Sequence, residues 1–359
     1  MKVAVVLGTR PEIIKLAPII RVLEREALDY FILHTGQHYS YNMDGVFFEQ
    51  LELPGARYNL DVGSGSHAEQ TGRMLIGIEG VLKAERPSIV LVEGDTNTVL
   101  AGALAAVKLG IKVGHVEAGL RSYDRQMPEE INRVLADHCS DLLFAPTERS
   151  RQILLWEGIG DEKIFVTGNT IVDAVHQNLE IAERRASVLD RFGVERGGYF
   201  LATVHRQENV DDERRFRGIM EGLELVKKEF GIPILYPIHP RARKRLKAYG
   251  IAASGVRILD PLDYLSFLML ERSARLVLTD SGGVQEETCI LGVPCVTLRY
   301  NTERPETLEV GSNVLAGTDP EEIVRKVDFM LKRDRGWPNP FGDGKAGERI
   351  VEILREKIG

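Results

Sequence analysis

With 359 residues, 43% hydrophobic and 28% charged, the chain is long enough for two hydrophobic cores and has the composition of an ordinary globular protein. A formal net charge of -7 argues against a nucleic-acid partner, which calls for a basic face able to displace counterions, and points to a small-molecule ligand. Cys139, Cys289 and Cys295 are odd in number, lack CxxC spacing and sit among apolar residues, so they are read as reduced core thiols.

The run from Met1 to Leu7 is apolar and ends at a glycine. It is too short for a signal sequence or a membrane span and reads as a first strand, which predicts a cytoplasmic protein with no membrane association. From there, short apolar runs of strand length alternate with helix-length periodic segments, the pattern of parallel βαβ units. In the first half, strands are predicted at Val3–Leu7, Tyr30–His34, Ile89–Val92, Val113–Val116, Leu142–Ala145 and Ile164–Thr167. A helix is predicted from Ile171 to Arg191, and the polar, glycine-rich stretch Phe192 to Gly198 leads into a second series. Its strands are predicted at Phe200–Val204, Ile234–Pro237, Arg257–Leu259, Leu276–Thr279, Val293–Thr297 and Asn313–Ala316. The turn-rich segment Gly336 to Asp343 precedes a last helix of about Gly344 to Lys357. Placing the junction near Gly168-Asn169 gives a first domain at 1–169, a second at 170–342, and a terminal helix at 343–359 that returns to the first.

In open parallel sheets the ligand lies beyond the carboxyl ends of the strands, so residues that follow strands carry most weight. Strand one runs into Gly8-Thr9-Arg10-Pro11-Glu12, which suits both an anion site beside Arg10 and a plain proline-started helix with a surface arginine. It is not the GxGxxG fingerprint of a dehydrogenase. Asp95 follows one strand and Glu117 another, while Glu129 and Glu130 open a helix after Pro128, so carboxylates from separate loops share one edge as acid/base candidates. Asp44, Glu49 and Glu52 lack that placement and are read as structural.

In the second half, Thr279 runs directly into Asp280-Ser281-Gly282-Gly283 and a helix, placing small residues and backbone N–H groups where a diphosphate can approach. Glu286 and Glu287 lie in the first turn, where a carboxylate either complements the helix dipole or accepts hydrogen bonds from a ribose diol. His205 ends a strand beside Arg206 and suits a phosphate; His239 has the same placement with less around it. Phe267 fits a base-stacking role or the core. No spacing of histidines and cysteines suggests a metal.

The ordered set Gly8-Thr9-Arg10-Pro11-Glu12, Thr35-Gly36-Gln37-His38, Gly94-Asp95-Thr96, His115-Val116-Glu117-Ala118-Gly119-Leu120-Arg121, Pro128-Glu129-Glu130-Ile131-Asn132-Arg133, His205-Arg206-Gln207-Glu208-Asn209 and Asp280 to Glu287 resembles the non-hydrolysing UDP-N-acetylglucosamine 2-epimerases over nearly the whole chain. The resemblance implies an α/β fold of glycosyltransferase-B type, two Rossmann-like domains around a deep cleft, and a homodimer. It implies epimerisation at C2 of a UDP-sugar with no cofactor. By motif, Asp95, Glu117 and Glu129 match the family's catalytic carboxylates, with Lys15 a further active-site candidate. Arg10, His205, Ser281 and Gly282, followed by Gly283, match its diphosphate contacts; Glu287 matches its ribose carboxylate; Phe267 falls near the uracil position. Some members bind a second UDP-sugar through a segment like Gln37-His38 and a histidine placed like His239; here the segment continues Tyr39-Ser40 and lacks a glutamine often found three residues after Gln37.

Overall fold

The computed structural model describes residues 1–36, 41–184 and 188–359. Gln37 and His38 lie outside the described residues. Two compact units are present: the first comprises residues 1–177 together with 341–359, the second residues 178–340.

In the first unit the order is β1 (Lys2–Leu7), α1 (Arg10–Arg25), β2 (Asp29–His34), α2 (Tyr41–Gln50), β3 (Tyr58–Asn59), α3 (His67–Glu85), β4 (Ile89–Glu93), α4 (Asn97–Lys108), β5 (Lys112–Val116), α5 (Pro128–Cys139), β6 (Leu142–Ala145), α6 (Glu148–Trp156), β7 (Ile164–Val166) and α7 (Thr170–Glu183). The last helix crosses from the first unit into the second at residues 177 and 178. The second unit continues with α8 (Val188–Phe192), β8 (Phe200–Thr203), α9 (Gln207–Val210), α10 (Glu213–Phe230), β9 (Ile234–Pro237), α11 (Pro240–Ala248), β10 (Arg257–Leu259), α12 (Tyr264–Ser273), β11 (Leu276–Thr279), α13 (Gly282–Leu291), β12 (Cys295–Thr297), α14 (Pro305–Glu309), β13 (Asn313–Leu315) and α15 (Pro320–Leu331). Finally α16 (Ala346–Ile358) belongs to the first unit again.

Each unit holds one parallel sheet, ordered β3-β2-β1-β4-β5-β6-β7 in the first and β10-β9-β8-β11-β12-β13 in the second. Both are doubly wound, with the strand order reversing between β1 and β4 and between β8 and β11. The continuous apolar runs follow from helices covering both faces. In the second unit Phe200 and Ala202 feed one core cluster, whereas Leu201, pointing the other way along the strand, and Tyr199 just before it feed another.

Where the strands differ from expectation, local chemistry explains it. Strand β12 starts at Cys295 because Pro294, the preceding residue, has no N–H to give a ladder. Strand β8 stops at Thr203 because the next free N–H groups turn to a side chain, described below. Helix α16 starts at Ala346, since Gly344 adopts a left-handed φ of 79°. The two-residue β3 was not predicted, and the segment predicted as one helix from Ile171 to Arg191 contains α7 and the short α8.

The return of α16 to the first unit is fixed by backbone contacts. Asp173, in the first turn of α7, accepts hydrogen bonds from the N–H groups of Ala346 (3.2 Å) and Gly347 (2.9 Å). Gly347 lies so close to α1 that an added Cβ would meet the Pro18 backbone carbonyl carbon at 3.1 Å. No described helix is long and apolar enough to cross a membrane.

Candidate active site

In a doubly wound sheet the ligand crevice forms at the carboxyl ends of the strands where the order reverses. In the first unit that edge carries Gly8 and Thr9 after β1 and Gly94 and Asp95 after β4, with Glu117 after the adjoining β5. Helix α1 begins with a capping box: Glu12 accepts from the N–H groups of Gly8 (2.5 Å) and Thr9 (3.0 Å), and the Thr96 hydroxyl also donates to it. Gly8 has no room for a side chain, because a Cβ there would overlap the Thr35 and Thr98 hydroxyls. Burial raises the Glu12 pKa to about 7, against the opposing pull of these hydrogen bonds. The carboxylate of Glu12 therefore ties the β1 and β4 loops together. Arg10, on the same turn, lies with its guanidinium 5.5 Å from the centre of the Phe47 ring.

One turn further along α1, Lys15 forms an ion pair with Glu117 and approaches Glu93 Oε1 at 3.5 Å. Glu117 has a left-handed backbone, φ 67°, a conformation uncommon for a residue with a side chain and one that accompanies functional geometry. Behind it Glu93, the last residue of β4, is almost fully buried. Its pKa stands well above the usual carboxylate range because burial disfavours its charge; Lys15 opposes this, and Glu117 reinforces it. Two carboxyl groups and one ammonium thus lie together largely out of water, and burial favours the proton on the deeper carboxyl.

Asp95 is held differently. Arg133 donates to its carboxylate at 2.5 Å and Asn132 to its backbone carbonyl at 2.9 Å, both from the helix that Glu129 opens. Glu130 is occupied in structure: it accepts from the N–H groups of Ser122 and Tyr123 and the Ser122 hydroxyl, each at 2.9 Å, and pairs with Arg133 at 2.7 Å. Glu129, next to it, is half-buried and takes part in none of these bonds. Position after a proline did not separate these neighbours, the motif resemblance chose Glu129, and the folded loop shows Glu130 taken up in structure.

His115 supports the same edge from beneath. Its Nδ1 lies 2.7 Å from Asp137 and its Nε2 lies 2.8 Å from the Gly94 carbonyl oxygen. Both partners are acceptors, so both ring nitrogens carry protons. Burial pulls its pKa down, but Asp137 and the Gly94 carbonyl outweigh it and leave the pKa raised. Asp137 also binds Arg121 at 2.7 Å and the Gly119 N–H at 3.2 Å. This network fixes the turn that presents Asp95 and the loop that follows Glu117.

In the second unit the corresponding edge lies after β8 and β11. Asp280, fully buried, accepts from the N–H of His205 at 3.1 Å, from the N–H of Arg206 at 3.0 Å and from the Asn209 amide at 3.1 Å. Its role is to fold the β8 loop, and it sets His205 in place, with His205 Nδ1 3.4 Å from an Asp280 oxygen. Burial lowers the His205 pKa in spite of Asp280, and Arg206 and His239 add to the lowering. The His239 ring lies 6.1 Å from that of His205, centre to centre. Its Nδ1 accepts from the Arg241 N–H at 3.2 Å, so the neutral ring carries its proton on Nε2.

Ser281 caps α13 without using its side chain, and the first turn is made by Gly282 and Gly283. Beside it Arg206 lies 3.6 Å from Glu303, which Arg299 grips through contacts of 2.8 and 3.0 Å. Burial alone would raise the Glu303 pKa, yet Arg299 and Arg206 bring it down to about 2. The helix start is thus bordered by Arg206 and the Glu303 carboxylate, which Arg299 holds. Glu287 is buried and accepts from the Tyr264 hydroxyl at 3.0 Å, while Glu286 pairs with Arg304 at 2.7 Å. Phe267 leans on a core cluster and stays half-exposed. No group of three or more His, Cys, Asp or Glu residues among the described residues is arranged to hold a metal ion.

Sequence reasoning missed Glu93, Asp137 and Glu303. The one available signal was an acidic residue ending an apolar strand, as at Glu93.

Residues 21–355 match the family model described as UDP-N-acetylglucosamine 2-epimerase. The chain is 58% identical to the UDP-N-acetylglucosamine 2-epimerase of Methanocaldococcus jannaschii, covering 99% of each. A crystal structure of that organism's UDP-GlcNAc 2-epimerase in complex with UDP-GlcNAc and UDP superposes with a TM-score of 0.92, covering 99% of this chain and 100% of the other. The chain is also 42% identical to a UDP-2,3-diacetamido-2,3-dideoxy-D-glucuronate 2-epimerase of Pseudomonas aeruginosa, again over 99% of each. Two doubly wound units with acidic groups on one carboxyl edge and an open helix start on the other, together with end-to-end similarity at this level, place the chain in the UDP-N-acetylglucosamine 2-epimerase family.

Proposed function

We propose that the protein interconverts UDP-N-acetylglucosamine and UDP-N-acetylmannosamine by eliminating UDP and adding it back. The observation that carries this reading is Glu117, presented by a left-handed backbone with Lys15 against it and the buried Glu93 behind it. The proton on C2 of the sugar is weakly acidic until the C1–O bond to UDP begins to break. As that bond breaks, its electrons leave with the diphosphate, a carboxylate takes the C2 proton, and the C–H electrons form the C1=C2 bond of 2-acetamidoglucal. Return of a proton to the opposite face of C2 and attack of UDP on C1 complete the inversion. Carboxylates on both faces are required, and Asp95, Glu117 and Glu129 are assigned that work.

The diphosphate is assigned to Arg10, His205 and the Ser281-Gly282-Gly283 start of α13, where backbone N–H groups stabilise the departing charge. Glu287 takes the ribose hydroxyls and Phe267 lies along the uracil. The helix start is supported by the absence of a side-chain cap at Ser281. No metal or redox cofactor is required by this chemistry. The reading includes a homodimer in the cytoplasm supplying precursors for surface polysaccharide or other glycans. Gln37, His38 and His239 are the candidates for a second UDP-sugar site, which a sigmoidal dependence of rate on substrate would reveal and a hyperbolic one would exclude.

The decisive experiment incubates the protein with UDP-N-acetylglucosamine alone in deuterated water. Deuterium appears at C2 and nucleotide sugar survives; absence of exchange sinks the epimerase reading, and an acceptor requirement favours a glycosyltransferase. The similarity to the diacetamido-glucuronate enzyme supports a second substrate reading, and parallel incubation with that UDP-sugar separates the two.

A further inference from the structure

Glu271 lies on α12 and is fully buried in the second unit. Both of its carboxyl oxygens are inaccessible and neither receives a hydrogen bond from a donor among the described residues. It has no ion pair there either. The group it lies against is another carboxyl, that of Glu287 on α13, which already accepts from the Tyr264 hydroxyl at 3.0 Å. The remaining ionisable neighbour, the Cys295 thiol, is pushed up to about 12 by burial and stays neutral.

Two ionised carboxylates cannot satisfy one another, since each only accepts hydrogen bonds, and a buried anion with no donor and no cation is strongly disfavoured. One proton between the two removes both problems. Glu287 keeps slight solvent access and a phenolic donor, whereas Glu271 has neither. The proton therefore belongs to Glu271. Its pKa stands well above the usual carboxylate range, through burial first and the Glu287 charge second.

We propose that Glu271 is a positioning residue for nucleoside recognition: a buried carboxylic acid that donates a hydrogen bond to the Glu287 carboxylate and, with Tyr264, aims it at a ribose diol. The proposal rests on the assignment of Glu287 to the ribose. It adds a residue that touches no ligand yet sets how well the nucleoside is distinguished. Donors from Tyr264 and Glu271 together stop the Glu287 carboxylate from rotating away and hold it in one orientation for the diol. This is the use of a neutral carboxylic acid as a donor that a low-polarity site permits.

The test compares UDP with 2′-deoxy-UDP by calorimetric titration of the wild type, Glu271→Gln, Glu271→Leu and Glu287→Gln. The wild type is expected to prefer UDP by roughly tenfold, the scale of a hydrogen bond to a charged group. Glu271→Gln retains a donor and keeps that preference within about twofold; Glu271→Leu, lacking it, falls to about threefold or less with little change in 2′-deoxy-UDP affinity. A wild-type preference that survives in Glu271→Leu but is lost in Glu287→Gln overturns the role of Glu271 alone. Equal binding of both nucleotides by the wild type overturns the ribose assignment, and the proposal with it. Should Glu271→Leu fail to fold, infrared spectra decide: the wild type shows a protonated-carboxyl band at neutral pH that Glu271→Gln lacks, and identical spectra overturn the proposal.

Discussion

Replacing Lys15 by methionine keeps the length of the side chain and removes the charge shared by Glu117 and Glu93. All three side chains are largely buried, so the loss is only weakly screened by solvent. At an ion-pair separation of about 4 Å, Lys15 and the Glu117 carboxylate attract by about 4 kcal/mol at an effective dielectric constant of about 20. Relaxation and water entry around the methionine bring this to about 2–3 kcal/mol, or about 2 pK units. The sign follows directly: without the cation, the carboxyl pair holds its proton more tightly, and the base forms only at higher pH. The acid limb of the kcat profile moves up by about 2 pH units, and turnover at neutral pH falls about 100-fold and recovers about tenfold for each unit of added pH. Deuterium incorporation at C2, followed by NMR from pH 5 to 9, gives the profile, and UDP affinity measured alongside stays within about threefold. Turnover that falls with no displacement of the acid limb would refute the reasoning and move Lys15 from the base to the substrate.

Glu303→Gln tests the carboxylate between Arg299 and Arg206. Its folded pKa of about 2 lies below the ordinary 4.5, so it contributes stability that is present above 4.5 and lost as pH falls toward 2. Between pH 5 and 3 the wild-type unfolding free energy should drop by about 2 kcal/mol more than that of the variant, measured by denaturant titration; parallel slopes contradict the assignment. Asp280→Asn leaves one acceptor oxygen for N–H groups that now use two, and turns an amide N–H₂ toward His205 and Arg206. We expect a loss of about 3 kcal/mol in stability and at least tenfold in UDP affinity, and unchanged UDP binding would separate the β8 loop from the nucleotide.

Much of the fold was legible because parallel strands covered on both faces appear as apolar runs, and the strands from Leu142, Ile234, Arg257 and Leu276 begin and end where the runs do. Asp95 and Glu117 were legible as site residues for a related reason: a polar residue after such a run marks the carboxyl edge of the sheet. Glu93 was not, because it sits on the strand itself and gains meaning only from Lys15, delivered by a distant helix. Asp280 shows the opposite limit. It was read as part of an anion-binding turn, yet its carboxylate is taken up by the loop after β8, a pairing that requires the β8–β11 neighbour relation. Glu129 and Glu130 are not told apart by their place after Pro128; the motif resemblance selects Glu129, and the path of residues 120–127 supplies the physical reason why Glu130 is drawn inward.

The return of α16 to the first unit also orders events during synthesis. The second unit is built from one unbroken stretch, 178–340, and holds its strands before residues 341–359 leave the ribosome. The first unit emerges earlier but must wait with α1 uncovered until residues 341–359 arrive to pack against it. A unit whose covering helix comes last is exposed to chaperones and proteases for the whole translation of its successor. The carboxylates assigned to the chemistry therefore reside in the half of the molecule that matures second, although it is translated first.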